Sequence, residues 1–286
     1  MTPELPFITV LVENVRARVE GRTITLVRVK SPSILKTFDP PISAVEGRSI
    51  VAVQRRGKVI LLGLDGDLWI VVHLMRHGRL QVGLPRPRAT KDLALAFGLD
   101  DGQEIQCIEL GPKKQAAVSV VRGPDLATCA PLAALGVEPL DETLTPQRLE
   151  QMLRGETGQV KRFLTLQRHL AGIGNAFSDE ILWEAHLSPF ASAARLSVEE
   201  VSRLHWAIRA VMTRALQEHR AYFRDALPMK EPPVLLRVHR NGGKPCPRCG
   251  SRIEVVYFAD RETYYCPTCQ TAGKVYADRR FSRLRK

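Results

Sequence analysis

The residues of this chain that are best suited to chemistry are four cysteines near its end. They form two pairs, Cys246-Pro-Arg-Cys249 and Cys266-Pro-Thr-Cys269, with sixteen residues between the pairs. This spacing is typical of a zinc ribbon, in which four thiolates hold one tetrahedral ion and leave no coordination position for water. The spacing therefore predicts one structural Zn²⁺ bound by all four cysteines. A thioredoxin-like redox pair is the alternative that the motif leaves open.

The segment that carries these cysteines is strongly basic. Residues 240–286 contain eleven Lys and Arg against four Asp and Glu, and so carry +7 of the chain's net charge of +12. The β-prone runs 253–258 and 263–265 predict a hairpin with residues 259–262 at its tip. A phosphate backbone binds to a basic surface of this kind, so the charge favours a nucleic acid as partner. A merely soluble basic surface is the alternative.

The length and composition of the chain narrow its class. With 286 residues, 44% of them hydrophobic, the chain can form two domains besides the ribbon. It shows no secretory signal and no run of eighteen apolar residues, so we expect neither secretion nor membrane insertion. Cys107 and Cys129 suggest no disulfide, which indicates a reducing compartment. We therefore expect a cytoplasmic protein, associated with the nucleoid.

Hydrophobic periodicity predicts a β-rich first part and a helical second part. A helical stripe covers residues 8–20, and Asp-Gly pairs at 65–66 and 101–102 are hairpin signals. Six or more strands after one helix predict a sandwich or flattened barrel. The predicted strands cover residues 23–29, 49–64, 68–74, 79–82, 93–97 and 105–110. The later predicted helices begin after the N-cap Thr145, cover 160–170 and 176–186, and run from the capping box Ser197–Glu200 to residue 219.

Four separate motifs occur in one order along the chain. Pro3-Glu-Leu-Pro6 lies near its start, Arg55-Arg-Gly-Lys58 lies in a hairpin, Ala171–Glu180 joins two helices, and the ribbon carries Arg261 at its tip. Together they resemble the formamidopyrimidine-DNA glycosylase / endonuclease VIII family over essentially the whole length of the chain. The motifs are specific in combination, because none of them alone would identify a family.

The resemblance implies an α+β multidomain fold and, in our expectation, a monomer. Its parts are an N-terminal β-sandwich with one helix, a helix–two-turns–helix DNA-binding domain and a C-terminal zinc ribbon. The implied boundaries are 1–123 for the catalytic sandwich, 124–144 for a linker, 145–236 for the helical domain, 237–272 for the ribbon and 273–286 for a basic tail.

The resemblance also implies a base-excision chemistry. Removing a damaged base from deoxyribose needs a nucleophile at C1′ and an acid for the departing base. An α-amino group has a pKa of about 8, so part of it is unprotonated and nucleophilic at neutral pH. The resemblance assigns this amine to Pro3, acid and base work to Glu4, and contact with the flipped nucleotide to Lys58. The resulting imine would allow strand cleavage at the abasic site by β-elimination.

The implied partner is double-stranded DNA that contains damaged bases or abasic sites. Gly172 and Gly174 would let a helix N-terminus approach the DNA backbone, where Asn175 would hold a phosphate. By the same resemblance, Lys161 would add a cation to this phosphate cradle, and Arg261 would grip the phosphate beside the lesion.

Thr2 departs from the family pattern, because the family places Pro directly after Met. Removal of Met1 before a small residue would leave Thr2 as the terminus, and Pro3 would then be a tertiary amide without a nucleophilic nitrogen. We therefore expect either further trimming to Pro3 or a slower lyase that works through the amine of Thr2.

Other departures affect the contacts with the lesion. Arg76 stands where the family has a Met that fills the hole left by the flipped base, and Lys113–Gln115 stands where it has Arg and Phe. Phe7 replaces a second acidic residue, and residues 227–237 are too few for a long lesion-capping loop. These departures leave open which lesion is removed.

Two other functions are compatible with parts of the sequence. A binder of damaged or structured DNA could keep the scaffold without the nucleophile, as Thr2, Phe7 and Gln115 suggest. A zinc-ribbon protein that binds RNA is the second alternative, although it would give no role to Glu4 and Lys58.

Overall fold

The computed structural model of the chain describes residues 2–86, 91–111, 113–258 and 261–276. The chain forms two compact units. Unit 1 comprises residues 1–134 and 219–231, and unit 2 comprises residues 135–218 and 232–286. The five segments predicted from the sequence divide the chain more finely, and that division stays a prediction. Most of the predicted basic tail, residues 277–286, lies outside the described residues.

Unit 1 is built on two four-stranded antiparallel sheets. One sheet has the strand order β1-β6-β7-β5 and the other the order β2-β3-β4-β8. The predicted sandwich is thereby confirmed, with one long helix and one short one beside it. The elements of unit 1 are α1 Leu5–Val19, β1 Ile24–Val29, β2 Ile50–Arg56, β3 Val59–Leu64, β4 Leu68–His73, β5 Gly78–Gly83, β6 Leu93–Leu99, β7 Glu104–Glu109, β8 Ala117–Arg122 and α2 Ala130–Ala133.

An apolar core lies between the two sheets and helix α1. Alternate residues of the strands point into it, among them Leu62 of β3 and Phe97 of β6, and α1 adds Phe7 and Leu11. Burial of such side chains from water is the main favourable contribution to the folding of a sandwich. The apolar stripe of the predicted helix therefore faces this core, as its periodicity predicted.

Helix α1 begins three residues earlier than predicted. Its N-cap is Glu4, whose extended backbone (φ −114°, ψ 177°) precedes the first turn. Pro6 falls in that first turn, where a residue without an N–H loses no helical hydrogen bond. The short motif Pro3–Pro6 is therefore part of the entry into a helix rather than a separate leader.

Strand β8 was not among the predicted strands. It pairs with β4, with Val71 opposite Ser119, and so completes the second sheet. Four consecutive residues of β8 are buried, including Ser119 and Val121, and the polar Ser119 interrupts the apolar run. The strand therefore shows neither clean alternation nor a continuous apolar stretch.

The residues 219–231 join unit 1 from far along the chain. Asn14 Nδ2 donates to the carbonyl oxygens of Arg224 at 2.8 Å and Ala226 at 2.7 Å, and Arg18 Nη2 donates to that of Asp225 at 2.7 Å. These contacts fix residues 224–226 along helix α1.

Unit 2 contains the helices of the second half and the ribbon hairpin. Two predicted N-caps are confirmed. Thr145 accepts a hydrogen bond from the N–H of Arg148, and Ser197 and Glu200 bond each other's backbone N–H reciprocally. The elements are α3 Pro146–Arg154, α4 Val160–Thr165, α5 Asn175–Glu184, α6 Val198–Phe223, whose last five residues belong to unit 1, β9 Glu254–Phe258, β10 Arg261–Tyr265 and α7 Pro267–Gln270. Within the described residues, no helix combines the length and the hydropathy needed to cross a bilayer.

Candidate functional site

The predicted nucleophile and acid lie at the start of helix α1. Pro3 and Glu4 are buried, Thr2 is half-buried, and the Glu4 side chain is only 2% exposed. As the N-cap residue, Glu4 immediately precedes the first turn of α1. The structure thus places Glu4 directly beside the two residues whose amines are candidates for the imine.

Lys58 lies in the turn between β2 and β3. The turn depends on Gly57, whose φ of 55° is in the left-handed region that favours glycine. Val59, the next residue, pairs with His73 at the end of β4. Burial, and secondly the charge of Lys58, lower the pKa of His73 below its ordinary value. The end of this hairpin therefore combines a cationic amine with an imidazole that favours its neutral form.

The hairpin of Lys58 is tied to the helix that begins at Glu4. Arg55 Nε donates to Thr9 Oγ1 at 2.6 Å. Because Thr9 lies in the second turn of α1, this bond connects the predicted catalytic helix with the predicted phosphate-binding hairpin.

The residues that the resemblance places at void-filling positions lie in two surface loops of unit 1. Arg76 is exposed in the turn that joins β4 to β5, next to Met75, whose φ is 53°. Lys113, Lys114 and Gln115 are exposed in the loop before β8. That loop is anchored by Lys114 Nζ, which donates to the carbonyl oxygen of Glu109 at 2.7 Å. Both loops can therefore present polar side chains to a partner.

The four predicted metal ligands come together in unit 2. Their Sγ atoms all lie within 4.8 Å of one another, with Cys249 and Cys266 at 3.4 Å and Cys246 and Cys269 at 4.0 Å. Four sulfurs bound to one zinc at 2.3 Å would be about 3.8 Å apart, so the cluster fits a tetrahedral ion. With four thiolates the shell is closed, and the one zinc of this site is structural.

The metal centre is attached to helix α5 through a tryptophan. Trp183 Nε1 lies 3.4 Å from Cys246 Sγ and donates to it. The guanidinium of Arg248 covers the Trp183 ring at 4.0 Å and donates to its carbonyl oxygen at 2.8 Å. Hydrogen bonds of this kind orient a ligand and lower the electron density on its sulfur.

The predicted phosphate cradle lies at the start of helix α5. Gly172, with φ 106°, and the extended N-cap Gly174 allow the chain to enter the helix. Asn175 Nδ2 donates at 2.8 Å, and Lys161 Nζ at 2.9 Å, to the same carbonyl oxygen, that of Glu262. The structure therefore brings these two predicted ligands together. Arg261, one residue before Glu262, is exposed at the start of β10.

Three buried polar residues near this cradle had no predicted role. The carboxylate of Asp179 contacts Lys161 and His239. Glu180 accepts hydrogen bonds from three consecutive backbone N–H groups, those of residues 237–239, at 2.8–2.9 Å. Burial raises the pKa of Glu180 above its ordinary value, although these three bonds act in the opposite direction. The only signal in the sequence was a pair of acids inside a helix flanked by apolar residues.

Three family models match the chain. The formamidopyrimidine-DNA glycosylase N-terminal domain matches residues 2–110, the formamidopyrimidine-DNA glycosylase H2TH domain matches 135–225, and the zinc finger found in FPG and IleRS matches 243–272. The positions of Glu4, Lys58, Asn175 and the cysteines fall within these matches.

Individual proteins agree with the family models. A formamidopyrimidine-DNA glycosylase of Chloroflexus aurantiacus is 34% identical over 278 residues, which cover 94% of this chain and 97% of that protein. The crystal structure of the MutM (Fpg) protein of Thermus thermophilus is similar with a TM-score of 0.82 and 31% identity, covering 94% of this chain and 98% of that one. A Lactococcus lactis Fpg mutant bound to Fapy-dG-containing DNA gives 0.85 and 26%, with coverages of 94% and 100%. The chain belongs to the formamidopyrimidine-DNA glycosylase family.

Proposed function

We propose that this DNA glycosylase excises damaged bases from duplex DNA through an imine on its N-terminal amine and then cleaves the abasic site. The observation that carries the proposal is the position of Glu4. A carboxyl group that is 2% exposed lies at a helix N-terminus, immediately after the two residues that can supply the amine. Burial next to a nucleophile suits a group that must give and take a proton.

The reaction uses these groups in sequence. The unprotonated amine attacks C1′ of the damaged nucleotide, the base departs with a proton, and the opened sugar forms an imine with the protein. The imine acidifies the C2′–H bond, so loss of that proton expels the 3′-phosphate by β-elimination. Glu4 is proposed to move the protons, and the Lys58 amine to hold the sugar or phosphate while they move.

Unit 2 is proposed to supply the grip on the phosphates. Its proposed contacts are Arg261 and the start of helix α5 with Asn175, and Arg76 of unit 1 is a further one. Lys161, a contact predicted from the sequence, lies beside them and holds the same carbonyl oxygen as Asn175. Two of the similar structures, both of Lactococcus lactis Fpg, contain Fapy-dG DNA and abasic-site DNA. These contents, and the net charge of +7 over residues 240–286, support damaged or abasic duplex DNA as the partner of this chain.

The site of action follows from the same proposal. We propose that the protein works as a monomer in the cytoplasm of a bacterium, on DNA of the nucleoid, because its relatives are bacterial repair glycosylases.

Borohydride trapping on abasic duplex DNA tests the imine. Mass spectrometry first identifies the native terminus, and the covalent adduct is then mapped by peptide sequencing. We expect the adduct on residue 2 or 3, with more trapping for a chain that begins at Pro3. An offset of one residue is roughly 3.5 Å, and misplacement by about 1 Å can already lower a rate about 100-fold. If neither the native chain nor one that begins at Pro3 traps DNA, the imine mechanism is wrong and the DNA-binding function is left.

Glu4→Gln tests the proton transfer. We expect unchanged DNA affinity and a fall in base excision on the order of 10²–10⁴-fold, because an amide cannot cycle a proton. Glu13→Gln is the matched control, since it removes a half-buried carboxylate of the same helix that pairs with Arg220. Equal excision by Glu4→Gln and the native chain would remove Glu4 from the mechanism.

A further inference from the structure

A buried ionic cluster lies between helices α4 and α5 and the ribbon hairpin of unit 2. Asp179 is fully buried, Lys161 is 8% exposed and His239 is 5% exposed. Lys161 Nζ lies 2.7 Å from Asp179 Oδ1, and His239 Nδ1 lies 2.7 Å from Asp179 Oδ2. The catalytic chemistry proposed above uses neither Asp179 nor His239.

The cluster holds the hairpin strand that begins with Arg261. Besides its ion pair with Asp179, Lys161 Nζ donates to the Glu262 carbonyl oxygen and to Thr263 Oγ1, each at 2.9 Å. The N–H of Tyr264 donates to Asp179 Oδ2 at 3.2 Å. Three consecutive residues after Arg261 are therefore bound by side chains of α4 and α5.

The donors of Lys161 are directed into the protein. An ammonium group has three N–H donors. Here two hydrogen bonds go to the Glu262 carbonyl oxygen and Thr263 Oγ1, and the buried Asp179 carboxylate lies 2.7 Å away as an ion-pair partner. A lysine that binds a phosphate directly would instead present its ammonium to solvent in the unbound protein. Its surroundings thus distinguish Lys161 from the exposed Arg261 of the same cradle.

We propose that Lys161 and Asp179 are positioning residues, which place Arg261 relative to the start of helix α5 and act on DNA only through it. The inference rests on the proposed role of Arg261 as a phosphate ligand. Arg261 directly precedes Glu262 in the strand, at a residue spacing of about 3.3 Å. Lys161 and Asn175 both donate to the carbonyl oxygen of Glu262. An arginine whose backbone is already held in place loses less conformational freedom on binding a phosphate, and so binds it more tightly.

An ionic anchor suits this task better than an apolar one. Hydrogen bonds of a charged group have preferred directions, whereas apolar contact allows neighbouring arrangements of similar energy. The hairpin register is then specified by named atoms: the Glu262 carbonyl oxygen, Thr263 Oγ1 and the Tyr264 N–H.

A double-mutant cycle tests the proposal. The affinity for a duplex with a tetrahydrofuran abasic-site analogue is measured over a range of salt for Arg261→Ala, Lys161→Met and the double variant. We expect each single variant to bind about 10- to 100-fold more weakly, and the double variant no more weakly than Arg261→Ala. The slope of log K against log salt should fall by about 1 in each case, the double variant included.

An independent phosphate contact by Lys161 would give a different cycle. The two losses would then multiply, and the salt slope of the double variant would fall by about 2. That result overturns the proposal and leaves the function of Arg261 intact. If Arg261→Ala binds as the native protein does, both its proposed role and this inference are wrong. Lys244→Met is the matched control, because Lys244 is an exposed lysine of the ribbon; its effect should add to that of Arg261→Ala.

Thr263→Val keeps the proposal testable if Lys161→Met loses zinc or folded structure. It removes one acceptor of Lys161, changes no charge and suits a β-strand. We expect Thr263→Val alone to weaken DNA binding roughly fivefold. Added to Arg261→Ala, it should weaken binding no further than Arg261→Ala does alone. Native affinity for Thr263→Val, or a loss that multiplies with that of Arg261→Ala, contradicts a positioning role.

Discussion

The sandwich of unit 1 and the α5–ribbon contact of unit 2 are stabilised by different interactions. In the sandwich, two sheets and helix α1 bury one large apolar cluster that includes Phe7, Leu62 and Phe97. The α5–ribbon contact, by which we mean helix α5 with residues 237–239, 246–258 and 261–269, buries a small apolar cluster around Trp183 together with Asp179, Glu180 and two of the metal ligands, Cys246 and Cys266. The sandwich is therefore stabilised mainly by the burial of apolar side chains, which has no preferred direction. The α5–ribbon contact depends in addition on individual hydrogen bonds and metal ligands.

Zinc removal should give the largest difference in stability between the sandwich and the ribbon. Structural zinc contributes about 10–16 kcal/mol of apparent binding energy in zinc-finger peptides, and that energy is coupled to folding. We expect chelation to unfold residues 237–276 while the sandwich stays folded. Hydrogen exchange with and without chelator, followed by mass spectrometry, measures this region by region. Loss of protection in the sandwich strands at the same chelator concentration would contradict the separation, and added zinc should restore the ribbon.

Phe97→Ala should reverse the pattern. Phe97 is fully buried in the sandwich core, so its truncation should lower the free energy of unfolding of unit 1 by about 3–5 kcal/mol. The zinc content should stay at one per chain. Leu26→Ala, on the paired strand β1, is the control, because Leu26 is 51% exposed and should change the free energy by less than about 0.5 kcal/mol. Equal effects of the two variants would disprove the assigned core.

Glu180→Gln tests whether the α5–ribbon contact depends on individual atoms. The amide has nearly the same shape, but its NH₂ group would face a backbone N–H that now donates to the carboxylate. We expect a loss of about 1–3 kcal/mol in the stability of unit 2, as for a buried donor left without an acceptor. Urea unfolding followed by the fluorescence of Trp183 and Trp206 measures it. An unchanged urea midpoint would show that the α5–ribbon contact does not depend on these hydrogen bonds of Glu180.

Lys58→Met should give the smallest of these effects on stability, a change in one titration. Burial and then Lys58 lower the folded-state pKa of His73, so His73 takes up its proton on unfolding. Its contribution to stability is complete above the unfolded pKa of 6.5 and is lost as the pH falls through the lower, folded value. Removing Lys58 should raise that folded pKa and weaken the pH dependence. Imidazole proton shifts in NMR report the titration, and an unmoved pKa would place the cause in burial alone.

The features that the sequence predicted are those that short stretches of chain encode. The cysteine pairs and the caps at Thr145 and Ser197 depend on spacings of three residues, and each is present as predicted. The strands of the sandwich followed from alternation, except β8, whose Ser119 finds its place only through pairing with β4. A spacing within a short stretch can be recognised in the sequence, but the distant strand or side chain with which a residue will pair cannot.

The buried cluster of unit 2 shows why the rest of the site was missed. Lys161 and Asp179 are eighteen residues apart and His239 follows sixty residues later, so no window of sequence contains all three. Each is also an ordinary residue for the surface of a helix or a loop. Only the packing of α4, α5 and the hairpin makes them neighbours.

The late arrival of residues 219–231 in unit 1 has a consequence for synthesis on the ribosome. Asn14 and Arg18 find their carbonyl acceptors only in residues 224–226. The 84 residues 135–218 must be translated before that segment exists, which takes about 4–17 s at 5–20 residues per second. During this interval Asn14 and Arg18 of the first helix lack these acceptors, and the N-terminal unit is completed only after most of the second unit has been made.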